Sequence, residues 1–400
     1  MSEERNLDFD TIVDRRNTDC LKYDFAVRRG KPEHVLPLWV ADMDFKTSSC
    51  IIDAVRERVE HGIFGYTESR DSYFEAVAEW MKGRHRWEVE RRWLVKTPGV
   101  VFALAMAVKA CSDAGDSVLI QQPVYYPFSE VIEDNGRRAV SSDLALGADG
   151  KYHMDFADFE QKIIAHRIRL FLLCNPHNPV SRVWTEEELI RVGEICQKYD
   201  VVVVSDEIHE DFVFGGGRHQ VFANLREDFS KISITCTSPG KTFNLAGLQI
   251  SNIFIPNAGL RGKFKKQIAA AGYSQLNALG LTACEAAYRR GGPWYEAMME
   301  YVEENISFLR DYLEKELPGI HMIEPEGTYL VWLDFRALGL SERELEELVV
   351  KRANLWLDSG AIFGGAGEGF ERINVACPRK LLAKALEQLK GAINHQVPIL

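Results

Sequence analysis

The sequence places one lysine, Lys241, in a loop of small and turn-forming residues, TSPGKTFNLAGL at 237–248. The loop directly follows KISITC, in which Ile232, Ile234 and Cys236 alternate as in a buried strand. An amine at the end of such a strand could form a Schiff base with a bound aldehyde and then carry protons. A solvated turn lysine is the competing interpretation, because most lysines are exposed. The residues at the other strand ends must therefore distinguish between these two interpretations of Lys241.

Polar and aromatic residues follow the other apolar runs in the middle of the chain. The runs RWLVK, SVLIQQ, RLFLLC and VVVVS are followed by TPGVV, PVYYP, NPHNP and DEIHED. In an open α/β sheet, ligands bind beyond the carboxyl ends of the strands. If these runs are parallel strands, then aromatic rings, amides, a carboxylate and Lys241 converge on one edge of the sheet.

Asp206 comes at the end of the valine-rich strand VVVVS. Burial there would desolvate its carboxylate, which would then need a cationic or hydrogen-bond-donating partner. A protonated pyridine nitrogen would suit this carboxylate. A helix N-cap aspartate is the alternative, since such residues are common at the starts of helices.

Two further strand ends, together with Ser238 beside Lys241, carry groups that a phosphorylated, flat ligand would need. Gly99 precedes the apolar helix VVFALAMAVKAC, whose free N–H groups and dipole could hold a phosphate. Ser238 could add a hydroxyl, and Tyr125 or Tyr126 could cover a flat ring. For each residue, ordinary capping, turn or packing roles are the alternatives.

The arrangement of strands and helices predicts an α/β fold. From about residue 93 to 255, short apolar strands alternate with helical segments, which is typical of a mostly parallel sheet covered by helices on both faces. Capping boxes start helices at Thr185 and Ser341, and a long helix begins at Pro293. The strands and helices after it indicate a smaller α/β lobe.

Composition and charge exclude several classes of protein. The chain has 400 residues, of which 46% are hydrophobic and 27% charged, and its formal net charge is −11. Such a chain forms a folded globule that would be repelled by nucleic acid and by anionic lipid. Its acidic start, MSEERNLDFD, and the lack of a long apolar run predict a cytoplasmic protein without a membrane anchor.

No motif predicts a metal ion or a disulfide. The eight cysteines are scattered without any CxxC pair, which indicates buried, reduced thiols. HED at 209–211 lacks the second histidine of the HExxH zinc motif. We therefore expect no bound metal.

Five segments together resemble the fold type I aminotransferase superfamily, and within it the cystathionine β-lyase branch of MalY/PatB-type C-S lyases. They are LPLWVADMDF, NPHNPVSRVWTEEEL, SDEIHEDFVFGGGRHQVF, SPGKTFNLAGL and ERINVACPR. The resemblance implies the aspartate aminotransferase-like fold of enzymes that use pyridoxal 5'-phosphate (PLP). It also implies an N-terminal segment 1–45 associated with the small domain, a large PLP-binding domain 46–290 and a small α/β domain 291–400.

The same resemblance assigns the residues around the ring of the cofactor. It makes Lys241 the lysine that binds PLP and Asp206 the partner of the pyridine nitrogen. Asn178 matches the amide that hydrogen-bonds the phenolic oxygen, and Tyr125 matches the ring stacked on the cofactor. His209 stands where many aminotransferases carry a tyrosine near that oxygen.

The resemblance also assigns the phosphate and substrate sites. Arg372 matches the arginine that holds the substrate carboxylate, and Tyr126 is assigned to the substrate. Tyr66 matches a tyrosine that crosses a dimer interface into the neighbouring site, so a homodimer with shared active sites is implied. The residues assigned to the phosphate are Gly99, Val100, Val101 and Ser238.

Besides His209, two features of the sequence depart from the aminotransferase pattern. Gln249 stands eight residues after Lys241, where an arginine usually pairs with the phosphate, and NPVS at 178–181 replaces NPTG. The missing arginine is compatible with the lyase branch, although it weakens the expected phosphate clamp.

The resemblance implies a PLP-dependent α,β-elimination on a small amino acid. L-Cystathionine or a related S-substituted cysteine would give a thiol, pyruvate and ammonia, and homocysteine as the thiol would place the enzyme in methionine biosynthesis. An aminotransferase on the same scaffold is the alternative, because fold alone does not determine function. A regulatory protein without turnover is a third, which would predict a broken site or an added DNA-binding module.

Overall fold

The computed structural model describes residues 7–394 of the chain. Its strands are β1 Leu36–Pro37, β2 Leu94–Thr97, β3 Ser117–Ile120, β4 Arg138–Ser141, β5 Ala145–Leu146, β6 Tyr152–His153, β7 Leu170–Cys174, β8 Val202–Asp206, β9 Ser233–Thr237, β10 Ser251–Phe254, β11 His321–Met322, β12 Leu330–Asp334, β13 Leu355–Trp356, β14 Asp358–Ser359 and β15 Phe370–Asn374. Its α-helices are α1 Ser49–Glu60, α2 Asp71–His85, α3 Val100–Cys111, α4 Pro127–Glu133, α5 Phe156–His166, α6 Glu186–Lys198, α7 Phe222–Leu225, α8 Glu227–Ser230, α9 Pro239–Thr242, α10 Ala258–Ala270, α11 Ala278–Arg290, α12 Gly292–Glu316, α13 Glu342–Glu346 and α14 Arg379–Asn394.

The larger sheet has seven strands in the order β2-β10-β9-β8-β7-β3-β4. Strands β3, β4, β7, β8 and β9 pair in parallel, whereas β10 is antiparallel to both of its neighbours, β9 and β2. All strands except β10 therefore point the same way. This topology confirms the predicted mostly parallel sheet.

The central strands are buried on both faces, which explains their continuous apolar sequences. In β7, Leu170 and Leu172 pack into the cluster that contains α3, α4 and α10. Phe171 and Leu173 face the opposite side and pack against α5 and α6. Each such side chain contributes about 1.5 to 3 kcal/mol by leaving water. The two helical layers thus hold the strand ends in a rigid frame.

Several helices begin where the sequence predicts. Thr185 accepts a hydrogen bond from the backbone N–H of Glu188 at 3.2 Å, and the Glu188 side chain accepts one from the Thr185 N–H. Ser341 and Glu344 form the same capping box at the start of α13. The long helix predicted from Pro293 is α12, which runs to Glu316.

A second, antiparallel sheet of four strands has the order β11-β12-β15-β14. It packs with α12 and α14 in the largest apolar cluster of the described chain. Strand β1 pairs in parallel with β13, so the N-terminal segment lies beside this C-terminal part. The boundaries 1–45, 46–290 and 291–400 nevertheless remain a prediction.

One strand of the larger sheet, β4, was not predicted from the sequence. It lies at the edge of the sheet and its side chains are exposed or half-buried, so it has no continuous apolar run. The antiparallel direction of β10 was also not predicted. Strand direction depends on the path of the connecting segments, which the composition of the strand does not record.

Among residues 7–394, no helix combines the length and the apolar content that crossing a bilayer requires. Five of the cysteines are buried, Cys174, Cys196, Cys236, Cys284 and Cys377, and the other three are half-buried. Burial raises the pKa of the Cys284 thiol to about 12. This thiol is therefore protonated and unreactive at neutral pH.

Candidate active site

A cavity of about 190 Å³ lies at the carboxyl edge of the larger sheet. It is framed by the segments that follow β2, β3, β7, β8 and β9, by the segment that leads into β10 and by Ala41 of the N-terminal segment. Because β10 runs antiparallel, its first residues reach the same edge as the last residues of its neighbours. The predicted residues that line this cavity are Gly99, Val100, Val101, Tyr125, Asn178, Asp206, His209, Ser238 and Lys241.

Lys241 lies on the short helix α9, which Ser238 caps. The Ser238 Oγ accepts a hydrogen bond from the Gly240 N–H at 3.0 Å and donates one to the Ile250 carbonyl at 2.7 Å. The Lys241 Nζ donates to the carbonyl of Ala41 at 2.5 Å. The amine is thereby directed across the cavity toward the N-terminal segment.

Burial lowers the pKa of Lys241 to about 8, and the nearby Arg372 acts in the same direction, whereas Asp42 and Asp206 oppose the shift. An exposed lysine has a pKa near 10.4. A substantial fraction of the amine is therefore neutral near pH 8, and only the neutral amine can attack an aldehyde or accept a proton.

This lowered pKa predicts how the cofactor-free protein takes up PLP. The rate of covalent loading should rise with pH with a midpoint near 8, because that is where Lys241 loses its proton. Stopped-flow absorbance of apoprotein mixed with PLP from pH 6 to 11 measures the midpoint. A midpoint near that of an ordinary lysine, about 10.4, would contradict the assigned environment.

Asp206 is the last residue of β8 and is buried, with 5% of its surface exposed. Its Oδ1 accepts a hydrogen bond from the Ile208 N–H at 3.2 Å. Burial raises its pKa to about 7, although the Ile208 N–H and Lys241 partly offset this shift. A cation in the cavity would keep this carboxylate ionised, as the sequence predicts for a pyridinium nitrogen.

Gly99 caps α3 and leaves open space above the first N–H groups of that helix. Its φ of 171° is extended, so any residue could adopt this conformation. A Cβ added at Gly99 would have no atom within 4 Å. Open space therefore lies beside Gly99, next to the positive end of a 12-residue helix. An anionic group such as a phosphate fits there.

Arg372 lies behind Asn178 and is 2% exposed. Its Nη1 donates to the Asn178 Oδ1 at 2.9 Å, and its Nη2 donates to the Trp39 carbonyl at 2.9 Å. It also forms an ion pair with Asp358, which lies opposite it on β14. The guanidinium sits 4.9 Å from the centre of the Phe363 ring. Asp358 was missed, because nothing in its local sequence marks it as the partner of Arg372.

The aromatic residues predicted for the site divide between the cavity and its surroundings. Tyr125 lines the cavity, and its N–H donates to the Asn178 carbonyl at 3.0 Å. Tyr126 packs against Tyr125 and Phe363 and is not among the lining residues. The predicted contact between Tyr126 and the substrate stays a prediction.

His209 lines the cavity as a neutral imidazole. It is 4% exposed, and burial together with Lys241 and Arg372 lowers its pKa well below the usual value. Its Nδ1 has no hydrogen-bond partner within residues 7–394, and its ring packs edge-on against Phe212 and Tyr329. A bound ligand would supply the polar contact that this ring lacks.

Tyr66 lies outside this cavity and is 97% exposed. It has no role in the site of its own chain, so its predicted entry into a neighbouring site depends on a second copy and stays a prediction.

Other lining residues were not predicted to take part in the site. Cys174 ends β7, and Ala41 belongs to the quoted segment LPLWVADMDF. The position of Cys174 at a strand end could have revealed it. Gln249 also lines the cavity, so the position that departs from the aminotransferase pattern does face the site.

Comparisons with known proteins identify the family. The family model described as aminotransferase class I and II matches residues 33–389. This chain belongs to that family. Cystathionine β-lyase PatB of Bacillus subtilis is 44% identical over 388 residues, which cover 97% of this chain and 100% of PatB. Protein MalY of Escherichia coli is 33% identical, covering 96% of this chain and 98% of MalY.

A solved structure supports the same relationship. Cystalysin from Treponema denticola, which contains a pyridoxal 5'-phosphate cofactor, superimposes with a TM-score of 0.94 and 37% identity, over 98% of this chain and 99% of cystalysin. The aspartate aminotransferase-like fold and the MalY/PatB branch predicted from the sequence are thus confirmed.

The residues present fit PLP. The cavity offers an amine with a lowered pKa, a buried carboxylate with room for a cation, and an open space at a helix start for a phosphate. Lys241 would hold the aldehyde, Asp206 the ring nitrogen, and the segment from Gly99 the phosphate. The aldehyde, the ring nitrogen and the phosphate of the cofactor would thus each have a protein partner of suitable charge.

Proposed function

We propose that this protein is a PLP-dependent C-S β-lyase that cleaves L-cystathionine or related S-substituted cysteines. Its products would be a thiol, pyruvate and ammonia, with homocysteine as the thiol from cystathionine. The observation that carries the proposal is the convergence of Lys241, Asp206 and Asn178 on one cavity, with the buried Arg372 hydrogen-bonded to Asn178 behind the cavity wall. The 44% identity to a cystathionine β-lyase supports the choice of reaction.

Bound PLP supplies an electron sink for negative charge that develops at the α-carbon of an amino acid. Arg372 would hold the substrate carboxylate with its planar fork of donors, which fixes the orientation of the α-carbon. The neutral Lys241 amine would accept the α-proton as general base. Asp206 would keep a proton on the ring nitrogen by pairing a negative charge with it.

The leaving group distinguishes this reaction from transamination. When the β-carbon bears sulfur, the negative charge at the α-carbon can expel the thiolate. In an aminotransferase, Lys241 would return the proton to a different carbon, and a keto acid would then accept the amino group. Both reactions begin with the same residues, so an assay must separate them.

The deciding assay supplies L-cystathionine without any keto acid and follows pyruvate and free thiol together. Equal and sustained release of both is the expected result. If product appears only when 2-oxoglutarate or pyruvate is added with an amino donor, the protein is an aminotransferase. Catalytically inactive protein that still binds PLP would favour the third alternative, a regulatory role.

We also propose a homodimer in which Tyr66 enters the site of the partner. Tyr66 follows two other exposed apolar residues, Ile63 at 67% and Phe64 at 61% exposed, and such clusters are typical of contact surfaces. Mixing inactive Lys241→Ala protein with a Tyr66→Leu variant should restore activity, because one site of each hybrid dimer is intact. No recovery in proven hybrids would contradict the shared site.

A cytoplasmic location and a role in methionine biosynthesis belong to the same proposal. Homocysteine as the thiol product supports the biosynthetic role. Growth of a methionine-requiring, cystathionine-fed strain on expression of this chain tests that role, and fractionation of the native cells tests the location.

A further inference from the structure

A cluster of buried titratable residues lies behind the loop that carries Asp206. It consists of His85, Glu207, Glu210, Asp211 and His219, all at most 5% exposed. The sequence predicted cofactor contacts for Asp206 and His209 of this loop, but no function for the five residues of the cluster. None of these five residues lines the cavity that holds Lys241.

Asp211 is the residue of this cluster that is hydrogen-bonded to the helix that carries Lys241. Its carboxylate accepts hydrogen bonds from the His85 Nε2 at 2.9 Å, the Trp80 Nε1 at 3.1 Å and the Thr242 hydroxyl at 2.6 Å. Burial favours the neutral acid, yet the bonds from His85, Thr242 and Trp80 hold the pKa of Asp211 below its usual value. Asp211 therefore carries a negative charge at neutral pH.

The bond to Thr242 connects this charge to the catalytic lysine. Thr242 directly follows Lys241 on α9 and is fully buried. The carbonyl of Asp211 in turn accepts a hydrogen bond from the Tyr295 hydroxyl of α12 at 2.5 Å. The loop that supplies Asp206 is thus tied to the turn that supplies Lys241 and to the long helix.

We propose that Asp211, oriented by His85, is a positioning residue that fixes the direction of Lys241 through the Thr242 hydroxyl. The inference rests on the proposed function, because it takes Lys241 as the catalytic amine. A short helix of four residues has few internal hydrogen bonds of its own. An outside bond to a buried charge therefore decides its orientation, and a displacement of ~1 Å at a reacting group can cost about 100-fold in rate.

A metal site is the competing assignment for the same cluster. The ligand atoms of His85, Glu210 and Asp211 lie within 4.8 Å of one another, as do those of Glu207, Glu210 and His219. However, the Nε2 atoms of both histidines are already hydrogen-bonded to carboxylates, His85 to Asp211 and His219 to Glu207. Burial raises the pKa of Glu210 well above its usual value, which disfavours the charged carboxylate that a metal ion would need. Hydrogen bonding therefore accounts for His85, Asp211, His219 and Glu207, whereas the Glu210 Oε2 has no hydrogen-bond partner among residues 7–394.

The test compares three variants of the PLP-loaded protein. Thr242→Val removes the bond to Asp211 and keeps the shape, whereas Thr242→Ser keeps the hydroxyl. Thr235→Val is the matched control, because Thr235 is equally buried and its hydroxyl has no hydrogen-bond partner in residues 7–394. We expect kcat of Thr242→Val to fall about ten-fold or more with KM nearly unchanged, and the other two to stay within about two-fold of wild type.

A second readout uses no substrate. The pH midpoint of PLP loading, near 8 for the wild type, should move upward in Thr242→Val, because a displaced Lys241 amine is better hydrated. Thr242→Ser should restore the midpoint. This readout is independent of whether the enzyme is a lyase, so it separates failure of the inference from failure of the proposed function.

The inference has clear contrary outcomes. It is wrong if Thr242→Val keeps both its kcat and its loading midpoint, or if Thr235→Val shows the same losses. If Thr242→Val does not fold, Asp211→Asn replaces it, with the same expected loss of kcat and upward shift of the midpoint. One equivalent of a transition metal in the purified holoenzyme, lost in Glu210→Gln, would also overturn the assignment.

Discussion

Lys241→Ala is expected to abolish lyase turnover, with a loss of about 10⁴-fold or more, while the protein keeps its fold. The substitution removes the amine that would hold the cofactor and accept the α-proton, and no other lysine lines the cavity among residues 7–394. Pyruvate release from L-cystathionine measures the loss. The absorbance of bound PLP and the circular dichroism spectrum show whether covalent binding is lost without unfolding.

A lysine outside the cavity provides the control for this substitution. Lys263 is exposed on α10, so Lys263→Ala should change turnover by less than about two-fold. Sustained pyruvate release by Lys241→Ala would refute the assignment of the catalytic amine and with it the proposed mechanism.

Asp206→Asn is the second substitution for which we expect a large effect, a fall in kcat of roughly 10²- to 10⁴-fold. The amide has nearly the same shape as the carboxylate but no charge, so it cannot keep a proton on the ring nitrogen. Covalent binding of PLP through Lys241 should survive. The variant should therefore remain yellow while its steady-state turnover collapses.

Chemical rescue separates this electrostatic role from a structural one. PLP methylated at the ring nitrogen carries a permanent positive charge and needs no carboxylate to keep it. Asp206→Asn reconstituted with this analogue should regain much of its lost kcat. If the analogue binds and restores nothing, the role of Asp206 as the partner of the ring nitrogen is wrong.

The local features of the fold were predictable because they depend on residues a few positions apart. Apolar runs of four to six residues marked β7, β8 and β9, and the Thr185 and Ser341 capping boxes marked two helix starts. The same runs placed Asp206 and Lys241 at strand ends, which meet at one edge in a parallel sheet. The edge strand β4 was not predicted, because its exposed or half-buried side chains do not form a continuous apolar run.

The assignment of roles at the site needed more than local pattern. The positions of Gly99 and Ser238 were compatible both with ordinary capping and turn roles and with phosphate binding. Only the resemblance to the family favoured phosphate binding. The structure adds a physical reason to expect a phosphate beside Gly99. The space there is open, and the extended backbone does not itself require a glycine. It also shows that Tyr66 is outside the site of its own chain.

The sequence by itself determined the class of fold, the cofactor chemistry and nine of the eighteen residues that line the cavity. Only the tertiary structure decided which distant groups hold those residues in place. Lys241 bonds the carbonyl of Ala41, 200 positions away, and Arg372 is oriented by Asn178, 194 positions away. Such contacts depend on how the layers pack against each other. The local sequence around each residue does not indicate which distant residue it will contact.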